Sequence, residues 1–128
     1  MIINIPVSVG ELFDKISILE IKKNKLKNKD KIKIVKYELD KLNMIVKKKK
    51  LSSKYIKKEF LRLKKINLRL WNIEDKKRKF EKHKKFDDRF IHLARNVYLL
   101  NDKRALIKLN INHLSGSKIK EVKSYEKY

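Results

Sequence analysis

Apolar side chains recur every three or four positions along most of this chain, in four runs separated by short polar breaks. Ahead of the first run lies an apolar arm at 1–7, with Ile2, Ile3, Ile5 and Val7 around Pro6. It is too short to form a sheet alone, so it is expected to pack on the helices. Ser8 and Glu11 stand at capping-box spacing. Leu12, Ile16, Leu19 and Leu26 then line one face, which predicts a first helix over about 9–27. The break Lys27-Asn28-Lys29-Asp30 offers Asp30 as an N-cap. The second helix reaches about 49, with Val35, Leu39, Leu42 and Val46 as its stripe. Lys47 to Lys50, Leu51 and Ser52-Ser53 make the next connection, and either serine can cap a third helix. That helix spans about 53–83, with Ile56, Leu63 and Leu70 at heptad spacing and Ile66, Ile73 and Phe80 three residues behind. A turn at Lys82 to Phe86 follows. Asp87 or Asp88 caps a fourth helix, which runs to about His113 and stops at Ser115-Gly116.

These four runs predict an all-α fold, an antiparallel bundle of about four helices with a long hairpin of helices three and four. The domain is expected to cover 1–116, with a polar tail at 117–128 that is either loose or docked across the bundle. Helix four is apolar over most of its circumference: Ile91, Val97 and Tyr98 on one side, Leu93, Leu100 and Ile107 on a second, Leu99 and Leu106 on a third. A helix apolar nearly all round belongs inside, so helix four is expected to be the central one. Leu61 and Leu68 fall on the back of helix three, to be covered by helix one or two or by a second subunit.

Composition narrows the chemistry. The chain has 128 residues, two glycines and one proline, too few breakers for a sandwich or small barrel. No cysteine is present, which excludes disulfides, thiolate metal sites and cysteine nucleophiles, and points to a reducing cytoplasm. No apolar stretch approaches the roughly 20 residues that span a bilayer, and the first residues do not read as a signal peptide.

The net charge of +22 changes the picture most. Residues 22–65 hold 19 Lys and Arg against 4 Asp and Glu, while residues 1–21 are slightly acidic. A field this strong attracts nucleic acid, anionic membrane or acidic protein. The candidate nucleic-acid contacts are Lys47, Lys48, Lys49 and Lys50 at the turn, then Lys54, Lys57, Lys58, Lys64 and Lys65 along helix three. Such a hairpin end would hold phosphates without reading sequence. Only 6 of the 37 basic residues are arginine, the side chain that base readers favour for its bidentate fork. Abundant Lys, Ile and Asn are also what AT-rich codons favour, so a solvated lysine surface without a dedicated ligand is the competing reading. Membrane-surface binding by a basic amphipathic helix ranks lower, because the apolar faces are needed for the core.

Several polar residues point into faces that should be buried. By helical geometry these are Glu20 on helix one, Glu74 and Glu81 on helix three, and Asn101 and Arg104 on helix four. An antiparallel hairpin would bring Glu74, Trp71, Asn101 and Arg104 close, flanked by Asp75, Arg78, Arg95 and Asp102. Buried charges must meet one another or line a cleft. The cluster is therefore either a small ligand site or a hydrogen-bond network that fixes helix register. His83, His92 and His113 are too dispersed for a metal site, and no catalytic triad or glycine-rich loop is present, so no cofactor and no catalytic residue are assigned.

The segments PVSVGELFDKISILEIK, LWNIEDKKRKFE and FDDRFIHLARNVYLLNDKRALIKLNIN, with KSY near the end, resemble a small bacterial and phage helical family, domain of unknown function 6165. The likeness spans nearly the whole chain. It implies one compact helical unit with no assigned activity or cofactor, in a family found near sugar-transfer and cell-envelope genes. The family pattern stresses Gly10-Glu11-Leu12, Asp14-Lys15, Trp71, Glu74-Asp75, Arg95 and Asn101-Asp102, which overlaps the inward polar set. The lysine-rich middle departs from it.

Three functions follow as expectations. The first is a non-enzymatic binder of nucleic acid or another polyanion. The second is an adaptor that meets a second copy or a protein partner through helix four or the back of helix three. The third is a small-ligand binder built on the polar cluster.

Overall fold

The structure, a computed structural model, describes residues 1–124. Four helices follow one another: α1 (Val9–Lys25), α2 (Lys29–Lys48), α3 (Lys54–Lys82) and α4 (Asp88–Ser115). There is no strand among the described residues. Each start has a side-chain cap. The Ser8, Asn28 and Ser53 side chains accept from the backbone N–H three residues on, and Asp87 accepts from those of Arg89 and Phe90. Asn28, not Asp30, caps α2, and Asp30 falls inside the first turn, where its charge still suits the helix dipole. α4 ends on Gly116 in the left-handed conformation, φ 66°, which glycine adopts without a Cβ penalty.

α1, rather than α4, is the central helix. It packs on α2, α3 and α4, whereas α4 packs only on α3 and α1. α1 can do this because two of its faces are occupied. Leu12, Ile16 and Leu19 join Val35, Leu39 and Val46 of α2 in the main core. Gly10, Asp14, Ser17 and Ile21, spaced four, three and four residues apart, form a second buried face. α3 and α4 outreach the shorter helices, so much of their apolar surface is left uncovered. At the hairpin end Ile91 is 52 % exposed; Leu106, level with Arg104 and Lys108, is 67 % exposed because it faces away from α1. Leu61 and Leu68 on α3 are also uncovered.

The arm at 1–7 does not pack on the helices either: Ile2, Ile3, Ile5 and Val7 are all exposed. Pro6 lacks an N–H and the arm has no partner strand. The bundle's core is closed by α1, α2, the first half of α3 and Ile107 and Ile111 of α4, leaving the arm outside. The tail leaves α4 beside the start of α1, where the Val9 N–H donates to Ser117 Oγ at 3.1 Å. The last part of the expected tail, 125–128, lies outside the described residues.

Candidate functional site

The interior polar cluster centres on Asp14, a residue that hydrophobic spacing alone passed over. Asp14 is 1 % exposed. Its Oδ1 accepts from Asn67 Nδ2 on α3 at 2.8 Å and from Arg104 Nε on α4 at 2.9 Å. Its Oδ2 accepts from the second arm of the same guanidinium, a bidentate fork. Ser17 Oγ accepts from Asn67 at 2.7 Å and donates to the Asp14 carbonyl at 2.7 Å. One carboxylate thus ties α1 to both α3 and α4.

A second layer lies one turn away. Lys108 Nζ donates to Glu11 at 2.6 Å and to Glu121 of the tail at 2.7 Å, with Asp14 Oδ2 3.8 Å off. Asn112 Oδ1 accepts from the Gly10 N–H at 2.6 Å. Here the two helices touch backbone to backbone: a Cβ on Gly10 would stand 2.5 Å from the Lys108 carbonyl oxygen. Only glycine permits that approach.

The electrostatics agree with the geometry. The hydrogen bond to Asp14 holds the Arg104 guanidinium above its ordinary range against the opposing effect of burial. For Lys108, burial pulls downward, but the bonds to Glu11 and Glu121 and the charge of Asp14 outweigh it and raise the ammonium. The Lys108 hydrogen bond lowers the Glu121 carboxyl. Every buried side-chain polar atom among the described residues has a partner. No donor or acceptor among them is left aimed at an empty space, and the hub's polar groups satisfy one another.

The expected cluster does not assemble as one group. Arg104 is in the hub, and its guanidinium also donates to Asn101 at 3.3 Å. Glu20 instead pairs with Lys64 at 3.0 Å near the surface. Glu74 accepts from Lys77 at 3.4 Å on its own helix. Trp71 and Asp102 are half-buried, and Asp75, Arg78 and Arg95 are exposed. α1 meets the hairpin near Asn67 and Arg104, and residues after Asn67 on α3 and before Arg104 on α4 lie past that contact, toward the hairpin turn. Of the family-pattern positions, Gly10, Glu11, Asp14 and Asn101 converge on the hub.

The lysine set lies on the opposite kind of surface. Lys47, Lys48, Lys49, Lys50, Lys54, Lys57, Lys58 and Lys65 are exposed, and Lys64 is half-buried by its pair with Glu20. Apart from Lys64, none of these lysines enters an ion pair among the described residues. At 100° per residue Lys54, Leu61, Lys65 and Leu68 share the stripe of α3 that faces away from buried Ile56 and Leu63, with Lys58 and Arg69 beside it. The stripe borders a groove of about 600 Å³ between α3 and α4, lined by Arg62, Lys65, Arg69 and Lys103 over Ile66, Leu106 and Ile107. Glu59 also lines it, but both its oxygens accept from Arg62, at 2.9 and 3.0 Å. Sequence spacing placed Lys65 here but missed Arg69 and Lys103, because the groove exists only where two helices meet.

The family's sequence model matches residues 3–128, almost the full length in which the hub and the groove are built. The chain belongs to DUF6165, a family of unknown function. No curated protein matches it, and no solved structure does. No group of three or more His, Asp or Glu among the described residues is placed to hold a metal ion, and no helix there is long and apolar enough to cross a membrane.

Proposed function

We propose that this family member binds nucleic acid through its phosphates, without reading sequence, along the outward stripe of α3 and the groove beside it. The observation that carries the reading is that the outward stripe of α3 carries cations that no acid engages, while nearby acids are already paired. Glu11, Asp14, Glu20 and Glu59 are engaged by Lys108, Arg104, Lys64 and Arg62. Lys54, Lys58, Lys65 and Arg69 stand in water without an acid among them. Along a straight helix these four span about 22 Å. Cations at that spacing release counterions from a duplex, which supplies sequence-independent affinity. No aromatic ring lines the groove, so base stacking has no platform and backbone contact is the mode that fits.

The test compares wild type with Lys54→Glu/Lys58→Glu/Lys65→Glu by anisotropy of a labelled duplex at low salt. These side chains are exposed, so the melting temperature should hardly move. Affinity is expected to fall by about a hundredfold or more, since three phosphate contacts become repulsions. An unchanged affinity in a folded variant would remove the α3 stripe from the account.

A second reading has its own observation. Leu61 and Leu106 are 66 % and 67 % exposed, and large uncovered leucines beside one groove are a feature of protein-binding surfaces. If this face meets a second copy, light scattering gives twice the chain mass at micromolar concentration, and Leu61→Ser/Leu106→Ser returns it to one. A monomer at all concentrations would leave only a different protein as the partner.

A further inference from the structure

The helix lengths bring three separate segments to one end of the bundle. α1 and α2 run antiparallel across the short connection 26–28, and Lys15 of one bridges Glu38 of the other at 3.0 Å. α2 has 20 residues and α1 has 17, so the end of α2 overshoots the start of α1. Lys47 to Lys50 therefore stand at the end of the bundle from which the arm at 1–7 leads into α1. The end of α4 arrives at the same place, since Gly10 bonds Asn112 and Val9 bonds Ser117. The tail at 117–124, with Lys118, Lys120 and Lys123, issues there too.

This end combines two properties that elsewhere on the molecule are apart. Its aliphatic side chains are strongly exposed: Ile2 63 %, Ile3 75 %, Ile5 70 %, and Val122 of the tail 92 %. In an extended segment Ile3, Ile5 and Val7 project to one side. Its charge is positive, because Lys47 to Lys50, Lys118, Lys120 and Lys123 outnumber the nearby acids Glu11 and Glu121, which also share Lys108.

We infer that this end docks on an anionic lipid bilayer, with the aliphatic arm in the interfacial layer and Lys47 to Lys50 among the headgroup phosphates. The inference goes beyond the nucleic-acid reading and uses a different part of the chain. Neither element suffices alone. A few aliphatic side chains give only marginal, reversible binding, and a lysine cluster adds the electrostatic half of a two-part anchor. A duplex offers the lysines phosphates but gives the aliphatic arm no apolar layer to enter, so lipid is the anionic partner that fits both.

The experiment is flotation of the full chain with vesicles of phosphatidylcholine alone and of phosphatidylcholine mixed with phosphatidylglycerol. The chain is expected to float with the mixed vesicles and about tenfold or more weakly with the neutral ones. Ile3→Ser/Ile5→Ser should lower binding to the mixed vesicles by about tenfold or more, as expected when two inserted aliphatic groups are lost. The same variant should keep the wild-type melting temperature and duplex affinity, whereas the Lys54→Glu/Lys58→Glu/Lys65→Glu variant loses duplex and keeps the vesicles. A wild-type chain that stays unbound with mixed vesicles overturns the inference, which would leave an acidic protein as the candidate for this surface. So does equal binding to both vesicle types, or an arm variant that floats like wild type.

Discussion

At Gly10 a single hydrogen atom decides how closely α1 and α4 approach. Because the obstructing atom is a backbone oxygen, Gly10→Ala cannot be absorbed by a side-chain rotation. The variant is expected to lose about 2 kcal/mol of stability, typical of an overpacked interface, as read by denaturant unfolding. No loss would mean the helices are not in contact there. Asp14 carries more. Asp14→Ala leaves Arg104 and Asn67 pointing at an empty buried site, which typically costs about 3 kcal/mol or more. Asp14→Asn keeps the shape and some of the bonds, and should lose less. If both substitutions cost the same small amount, the hub is not holding the helices. The hub was only partly legible in the sequence. Arg104 and Asn101 were marked by their inward direction, because they interrupt an apolar arc. Asp14 and Ser17 were not, because they sit off the leucine stripe of α1. Their signal was the spacing of Gly10, Asp14, Ser17 and Ile21, a second face on which only Ile21 is apolar.

At the scale of elements, the four helices and their antiparallel order follow from periodicity and capping, and the boundaries fall within a few residues of those expected. The rank of the helices does not follow. α4 has apolar residues all round, but burial depends on which neighbours are long enough to cover them, and α2 makes no contact with α4. The part of the α3–α4 hairpin beyond Asn67 and Arg104 is therefore held by one neighbour only. Amides of 90–97 should exchange faster than those of 12–21, by a factor that tracks this difference in cover. Equal protection in both segments would contradict a central α1. The tail is tethered by one titratable contact. Because Lys108 lowers the Glu121 carboxyl, that contact is present in full above the ordinary carboxyl value of 4.5 and is lost as pH falls through the lower folded value. The raised Lys108 ammonium keeps its share below its ordinary 10.5 and loses it only as pH rises through a still higher value. The Glu121 carboxyl carbon shift in an NMR titration should thus turn over below 4.5, and Lys108→Ala should bring it back up. A wild-type titration at or above 4.5 would show the tail undocked.

For the whole molecule, the distribution of +22 matters more than its size. Glu11, Asp14 and Glu20 of α1 are engaged by Lys108, Arg104 and Lys64, while Lys47 to Lys50 of the α2–α3 turn and Lys54, Lys58 and Lys65 of α3 enter no ion pair among the described residues. Composition alone located the dense lysine segment, since charge counts need no structure. It could not tell which lysines are paired, and Lys64 turned out to be engaged by Glu20. The measurement that bears most directly on the proposed function is the dependence of duplex affinity on salt. Four to five phosphates met by the α3 stripe predict a log–log slope of about −4 on duplex DNA. An affinity that does not change with salt, or no binding even at the lowest salt, would contradict phosphate recognition by this surface.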